Sequence, residues 1–202
     1  IQFLNKRDSK NNTNKIDKYG IMTRVNLLSF FEEFFTEVRN NMTITIQTTS
    51  QEETMKIGEL LAKGVFANST IILSGDLGAG KTTFTKGFAL GLDITRVIKS
   101  PTYTLIREYT KGRLPLFHMD MYRIEESGGA SEIGLEEYFH REGVVMVEWA
   151  NFIEEELPMN RLIISIEQTS LTTRSITLDA IGEEYEKWLN QFESWWINER
   201  ES

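Results

Sequence analysis

The architecture of this 202-residue chain is set by Ile71-Ile72-Leu73-Ser74-Gly75-Asp76-Leu77-Gly78-Ala79-Gly80-Lys81-Thr82-Thr83. The apolar residues that open it are typical of a buried parallel strand, and the residues that follow it have helical spacing. From Gly75 to Thr82 it fits G-x-x-x-x-G-K-[ST], the phosphate-binding loop between a strand and a helix. The glycines let backbone N–H groups converge on phosphate oxygens, and the helix directs its positive end to the same anion. The stretch therefore predicts a nucleotide phosphate site.

Two side chains of this loop carry the expected chemistry. Lys81 is expected to neutralise the β and γ phosphates, and the Thr82 hydroxyl to bind Mg²⁺. An ordinary glycine-rich turn is the structural alternative. Because strand, glycine loop and helix occur in the required order, the pattern favours the phosphate site.

Hydrolysis also needs a carboxylate that orients Mg²⁺ and the attacking water, and in this fold it usually ends a strand beside the loop strand. Glu148 ends the most apolar strand-like run after the loop, Val144–Trp149. Asp120 closes a predicted hairpin strand and is the second candidate. A carboxylate at a strand end is often merely solvated, but a phosphate loop in the same chain favours a functional role for both.

Ser100-Pro101-Thr102 follows the loop helix and offers two hydroxyl groups beside a rigid proline. Such a segment is typical of switch loops that respond to the γ-phosphate. The alternative is a strand entry capped by serine and stiffened by proline. His118 and His140 have no metal-ligand spacing and are interpreted as structural. Four arginines are candidates for contact with phosphate, and a surface salt bridge is the usual alternative role for each of them. They are Arg107, Arg113, Arg123 and Arg141.

Hydrophobic patterning predicts the other elements. The alternating run Met42–Gln47 predicts an edge strand, and Ser50 with Glu53 predicts a capped helix after it. Further runs predict a hairpin and an antiparallel pair, namely Thr104–Tyr109 with Leu114–Met119 and Leu162–Ile166 with Ser175–Leu178. The predicted fold class is α/β, a P-loop NTPase-like three-layer sandwich with a mixed, partly parallel central sheet.

Three regions are expected along the chain. Residues 1–41 form an N-terminal extension, polar and disordered at Lys6–Lys18 and then an amphipathic helix with an acidic polar face, which disfavours a membrane surface. An equally favoured alternative is that the natural protein starts at Met42. Residues 42–182 form the P-loop ATPase domain. Residues 183–202 form a C-terminal amphipathic helix whose tryptophans favour packing on the domain over binding a partner.

Composition limits the classes of function. The net charge of −8 argues against this chain gripping nucleic acid alone, because phosphate binding needs a basic face. The chain has no cysteine, which excludes disulfides, thiolate zinc sites and a cysteine nucleophile. No apolar run reaches membrane-spanning length and the N-terminus lacks a signal-peptide pattern, so a cytoplasmic protein is expected.

Together these motifs resemble one family closely, the small bacterial ATPase TsaE, formerly YjeE. The resemblance covers roughly Met42 to Ile181. The phosphate loop alone is generic, but the Ser-Pro-Thr, His-x-Asp-x-Tyr-Arg and Glu-Trp motifs are specific. The matching segments are Gly75–Phe84, Ser100–Thr104, His118–Arg123 and Val147–Ala150.

The resemblance implies slow ATP hydrolysis in tRNA N6-threonylcarbamoyladenosine biosynthesis. It implies TsaB and TsaD as partners, which modify adenosine 37 of ANN-decoding tRNAs, with tRNA reached only indirectly and the ATPase resetting the complex between turnovers. By the family pattern Thr82 and Glu148 hold Mg²⁺, Lys81 binds phosphate and Asp120 serves near the metal or the water. Thr54 is expected near the nucleotide, by a weaker match. The extension and the tryptophan-rich tail match no motif of the family, so their roles stay open.

Three other functions stay open at this point. Asn5-Lys6-Arg7-Asp8 fits the guanine-binding N-K-x-D motif and precedes the loop, as in circularly permuted GTPases, but no D-x-x-G follows the switch segment at a suitable distance. A small-molecule kinase would need a lid with clustered arginines, which the sequence lacks. A binding module that uses ATP only as a switch ligand would be distinguished by Glu148→Ala.

Overall fold

The computed structural model describes residues 42–124, 129–130 and 132–201. The predictions for residues 1–41, including the amphipathic helix and the Asn5–Asp8 motif, lie outside the described residues. The helices and strands are β1 (Met42–Thr48), α1 (Gln51–Lys63), β2 (Ser69–Ser74), α2 (Lys81–Gly91), β3 (Ile106–Tyr109), β4 (Leu116–Asp120), α3 (Leu135–His140), β5 (Val144–Glu148), a 3₁₀ helix (Ala150–Glu156), β6 (Arg161–Gln168), β7 (Arg174–Ile181) and α4 (Glu183–Glu201).

One mixed sheet carries the strands in the order β1-β7-β6-β2-β5-β4-β3. The four central strands, from β6 to β4, run parallel to one another, with the loop strand β2 between β6 and β5. The predicted hairpin β3–β4, the predicted pair β6–β7 and the edge strand β1 are antiparallel. The parallel centre places the carboxyl ends of β2, β4 and β5 at the same edge of the sheet.

Two apolar layers cover the sheet. Successive residues of β2 point to opposite faces, so that Ile71 and Leu73 join the core with α1, α2 and α4, while Ile72 joins the core with α3 and the 3₁₀ helix. This confirms the predicted α/β three-layer sandwich with a mixed, partly parallel sheet. In the part of the chain that the structure describes, no helix combines the length and apolar composition needed to span a membrane.

The first helix, α1, begins where the sequence predicts. The Ser50 hydroxyl accepts a hydrogen bond from the Glu53 N–H at 3.1 Å, which caps the helix. The Glu53 carboxylate reaches back one residue further than a standard capping box, and accepts the Thr49 N–H at 2.6 Å. The cap therefore ties the end of β1 to the start of α1.

Helices α1 and α2 touch through their backbones. A Cβ at Gly87 would collide with the carbonyl oxygen of Met55, and one at Gly58 with that of Phe84. Glycine at these positions therefore lets the two helices approach closely. The contact holds α2, and with it the end of the phosphate loop, against the body of the domain.

The C-terminal helix α4 packs on the domain, as its spacing predicts, and belongs to the same compact unit as the sheet. The Tyr185 hydroxyl accepts the Thr70 N–H at 2.8 Å, and the Trp188 indole N–H donates to the Leu61 carbonyl at 2.8 Å. Tyr185 and Trp188 are buried, whereas Trp195 and Trp196 further along the helix are half-buried.

Candidate functional site

The loop between β2 and α2 has the backbone that its glycines allow. Gly75, Gly78 and Gly80 have φ values of 144°, 83° and 120°, in the region that favours glycine. Gly75 is also sterically constrained, because a Cβ there would collide with the carbonyl of Ile166 on β6. The tip residues Asp76 and Leu77 face solvent. The loop is therefore a backbone turn that ends at the amino terminus of α2.

Lys81 is the first residue of α2 and is buried beneath the loop, only 7% exposed. Its ammonium group donates to the carbonyls of Gly75 at 2.6 Å and Asp76 at 3.1 Å. The same Nζ lies 3.7 Å from Oε2 of Glu148 and 5.5 Å from the centroid of the Trp149 ring. Lys81 thus places a positive charge between the loop and the end of β5.

The two predicted carboxylates lie side by side. Asp120 is the last residue of β4 and Glu148 the last residue of β5, and they are directly opposite each other in the parallel register. Glu148 is also opposite Leu73, one residue before the end of the loop strand. Asp120 and Glu148 are 3% and 4% exposed, so two acidic groups are buried beside the loop. Parallel strand ends bring them together, as the sequence predicts.

Asp120 connects the candidate switch segment to this site. The Thr102 hydroxyl donates to Oδ2 of Asp120 at 2.7 Å, and the Ser100 hydroxyl lies 2.7 Å from that of Thr102. The other Asp120 oxygen, Oδ1, accepts the Tyr122 N–H at 3.1 Å. The segment also starts the turn before β3, which begins at Ile106 instead of the predicted Thr104 because Leu105 has a positive φ of 59°.

His118 is a site residue that sequence reasoning missed when it assigned the side chain a purely structural role. Its side chain is fully buried, and Nε2 lies 2.8 Å from Oε1 of Glu148. His118 and Asp120 are two residues apart on β4 and share a face of the sheet. That spacing was the available signal, because it puts the imidazole on the side of a predicted site carboxylate.

Arg174, at the start of β7, was also missed. Its Nε donates to the carbonyl of Ala79 within the loop at 3.1 Å. Two of the predicted arginines are engaged elsewhere. Arg113 donates to the carbonyls of Ala62, in the last turn of α1, and of Val65, just after it. Arg141 forms a salt bridge with Glu108 at 3.1 Å. Arg107 donates to the Ser100 carbonyl at 3.2 Å, so it holds the switch segment. Arg174 and Ala79 are far apart in the sequence, and only the pairing of strands in the folded sheet brings Arg174 to the loop.

The two predicted threonines have different surroundings. Thr82 is half-buried and is the second residue of α2, directly after the phosphate loop. Thr54 is buried in α1, and its hydroxyl lies 3.1 Å from both the Ser50 carbonyl oxygen and the Thr48 hydroxyl. A role for Thr54 near a nucleotide stays a prediction.

An open cleft of about 390 Å³ gives access to the loop from the side of the 3₁₀ helix. Gly75 and Asp76 form one wall, Trp149 another and Ser165 of β6 a third. Trp149 directly follows Glu148 and has a positive φ of 57°, so the chain turns sharply after the carboxylate. The cleft therefore opens beside the loop and beside Trp149, the residue that follows β5.

The donor atoms at this edge are those that suit a hard cation. Glu148 and Asp120 supply carboxylate oxygens and Thr82 a hydroxyl, the kinds of ligand that Mg²⁺ prefers. Among residues 42–124, 129–130 and 132–201, no group of three or more His, Cys, Asp or Glu side chains forms a closed metal site. Mg²⁺, which commonly takes further ligands from water and phosphate, stays a prediction for these three oxygen donors.

Comparison with known proteins identifies the family. A family model described as threonylcarbamoyl adenosine biosynthesis protein TsaE matches residues 48–176 of the chain. The chain belongs to the TsaE family. This confirms the resemblance drawn from the four motifs, all of which lie within the matched residues.

Individual TsaE relatives agree with the family match. The tRNA threonylcarbamoyladenosine biosynthesis protein TsaE of Bacillus subtilis is 52% identical over 140 residues, which cover 69% of this chain and 87% of that protein. The TsaE protein of Treponema pallidum is 39% identical over 129 residues, covering 64% of this chain and 95% of that protein. The crystal structure of Bacillus subtilis YdiB matches at a TM-score of 0.68 and 45% identity, covering 76% of this chain and 96% of that chain.

Proposed function

We propose that this chain binds ATP with Mg²⁺ and hydrolyses it slowly in tRNA threonylcarbamoyladenosine biosynthesis. TsaE membership supports the pathway. The observation that carries the nucleotide step is the position of Lys81, whose ammonium group lies between the loop carbonyls and the buried Glu148 carboxylate. A buried cation at the start of a helix, under a loop of backbone N–H groups, is suited to a polyphosphate.

Each site residue has a definite part in this proposal. Lys81 exchanges the carbonyls of Gly75 and Asp76 for phosphate oxygens when nucleotide binds. Glu148, Asp120 and the Thr82 hydroxyl would hold Mg²⁺, and a bound Mg²⁺ would neutralise charge that develops on the phosphates. Asp120 also orients the attacking water and keeps Thr102 beside it, so the switch segment responds to the γ-phosphate.

The partners in this proposal are TsaB and TsaD, which transfer the threonylcarbamoyl group to adenosine 37 of ANN-decoding tRNAs. ATP hydrolysis by this chain resets that complex between turnovers and does not perform the transfer. The net charge of −8 supports an indirect relation to tRNA, because contacts with a phosphate backbone require basic surfaces that the partners would supply.

The proposed ATPase activity is tested directly by measuring nucleotide binding and hydrolysis in the parent chain and in the Glu148→Gln variant. Glutamine keeps the size of the side chain but loses the negative charge, so hydrolysis should fall about 10²- to 10⁴-fold, the range typical of losing one electrostatic or acid–base group. Phosphate release with and without Mg²⁺ gives the rate, and fluorescent-nucleotide titration gives the affinity. Unchanged hydrolysis would show that the carboxylate assignment is wrong.

Three further measurements distinguish the alternative functions. A clear preference for GTP over ATP would favour a permuted GTPase, and transfer of the γ-phosphoryl group to a metabolite would favour a kinase. Loss of hydrolysis in Glu148→Gln with intact assembly on TsaB and TsaD would show that binding and turnover are separate functions of one site.

A further inference from the structure

We infer that His118 is a positioning residue for Glu148: its imidazole N–H fixes one carboxylate oxygen so that the other faces the loop. This inference rests on the proposed function and adds a residue to it. The starting observation is the 2.8 Å contact between His118 Nε2 and Glu148 Oε1, made by an imidazole with no exposed surface.

The chemistry of the two groups fixes the direction of this hydrogen bond. In the proposed role as a metal ligand, Glu148 is a carboxylate that only accepts hydrogen bonds, so Nε2 carries the proton and donates it. The other ring nitrogen, Nδ1, is buried and has no hydrogen-bond partner among the described residues. With the proton on Nε2, Nδ1 is left as a bare acceptor, which is less costly to bury than an unpaired N–H. The geometry therefore selects one tautomer.

The two oxygens of Glu148 have different surroundings as a result. Oε1 is bound by His118, whereas Oε2 lies 3.7 Å from Lys81 Nζ, beyond hydrogen-bond distance. Oε2 is thus directed toward the phosphate loop and is available to a ligand there. A carboxylate without the His118 contact could rotate about its terminal torsion, which is broad and weakly restricted. His118 removes that freedom.

Burial of the imidazole supports a functional reason for this bond. Its neighbours along β4, Phe117 and Met119, lie in the apolar core on the other face of the strand. An apolar side chain at position 118 would fill the same space without an orphan nitrogen, so packing alone does not account for histidine. A hydrogen bond that orients a metal-binding carboxylate does account for a histidine here.

Two nearly isosteric variants test this inference. In His118→Gln the amide nitrogen lies near the position of Nε2 and can still donate to Glu148. In His118→Asn the side chain is one methylene shorter and places its nitrogen near Nδ1, out of reach. Both are polar and of similar size, so they share most of the cost of altering a buried site.

The primary readout is metal affinity, measured as the Mn²⁺ dissociation constant by electron paramagnetic resonance with a non-hydrolysable ATP analogue. We expect His118→Asn to weaken Mn²⁺ binding about 10- to 100-fold, the usual effect of removing such a partner, and His118→Gln to stay within a few-fold of the parent. Analogue affinity in EDTA should change less than twofold in both. Tyr185→Phe, which removes a buried hydrogen bond far from the site, serves as the control for general destabilisation.

Equal Mn²⁺ affinities for the two variants would overturn the inference, as would parallel losses of Mn²⁺ and metal-free analogue binding. A parent chain that shows no metal-dependent nucleotide binding would instead overturn the proposed function, and this inference with it. The two failures are therefore distinguishable in one series of measurements.

Discussion

Lys81 shows how a single residue prepares the site for an anion. Its ammonium group donates to two loop carbonyls and faces a carboxylate, so its charge is buried but not isolated. Phosphate oxygens can replace the carbonyls as acceptors with little movement of the side chain. The contacts of the ammonium group with the two carbonyls and the carboxylate therefore offset the free-energy cost of burying its charge.

Lys81→Ala should therefore weaken nucleotide binding strongly. Hydrogen bonds to a charged group contribute about 1.5–3 kcal/mol each, which corresponds to roughly 10- to 100-fold in affinity for one bond. Lys86→Ala is the matched control, because Lys86 lies on the same helix and faces solvent. Calorimetric titration with ATP checks both. Equal affinities for the two variants would contradict the role of Lys81.

Residue identity was predictable where the chemistry is encoded locally. The loop residues follow from one motif, and Asp120 and Glu148 follow from strand ends. His118 and Arg174 were missed because their contacts join residues 30 and 95 positions apart in the sequence. A sequence pattern does not show which residues of distant strands lie opposite each other. Side-chain alternation along the strand predicts that His118 lies on the same face as Asp120, but this points to the site only once Asp120 has been placed in the site.

At the scale of elements, the contact between α1 and α2 positions the phosphate loop. Gly87 lies where a side chain would meet the carbonyl of Met55, so the two helix backbones are in direct contact. The loop leads directly into α2, because Lys81 is both the lysine of the motif and the first residue of that helix.

Gly87→Ala should destabilise the domain although alanine is the better helix former. The propensity gain of about 1 kcal/mol is outweighed by a collision with backbone that cannot move aside, and overpacking typically costs about 1–3 kcal/mol. We expect a net loss of up to about 2 kcal/mol in the free energy of unfolding measured in urea. Leu90→Ala, at a half-exposed position of the same helix, should cost much less. A more stable Gly87→Ala protein would contradict the close contact.

A second element contact links β3 to α3 and predicts a dependence on pH. Arg141 and the Tyr138 hydroxyl both donate to Glu108 and hold the pKa of that carboxyl below its usual value. Since the folded pKa is the lower one, the contribution is present above the unfolded pKa and is lost as pH falls through about 4.5 and below.

Glu108→Gln isolates this contribution. The pair is more than one-third exposed, so its charge should add less than about 1 kcal/mol at neutral pH. The difference in unfolding free energy between the parent and Glu108→Gln should be smaller at about pH 3 than at neutral pH. Urea titrations at both pH values measure it. A difference that grows on acidification would contradict the assigned direction of the pKa shift.

At the scale of the whole molecule, the order of strands assembles the site. The loop strand β2 lies between β5 and β6, and β5 lies beside β4, so three carboxyl ends converge on one edge. Most strands and helices were predictable from alternation and capping, and so was the layered fold class. The strand order was not, because pairing between distant segments depends on tertiary contacts that no local period records.

The central claim is that ATP hydrolysis at this site supports repeated tRNA modification. It is tested most directly by reconstituting threonylcarbamoylation of an ANN-decoding tRNA with TsaB, TsaD, an activated threonylcarbamoyl donor and this chain, and counting modified tRNAs per complex. The parent chain with ATP should sustain many turnovers, whereas Glu148→Gln should stop near one. Equal turnover numbers with the parent, with Glu148→Gln and without this chain would contradict the account.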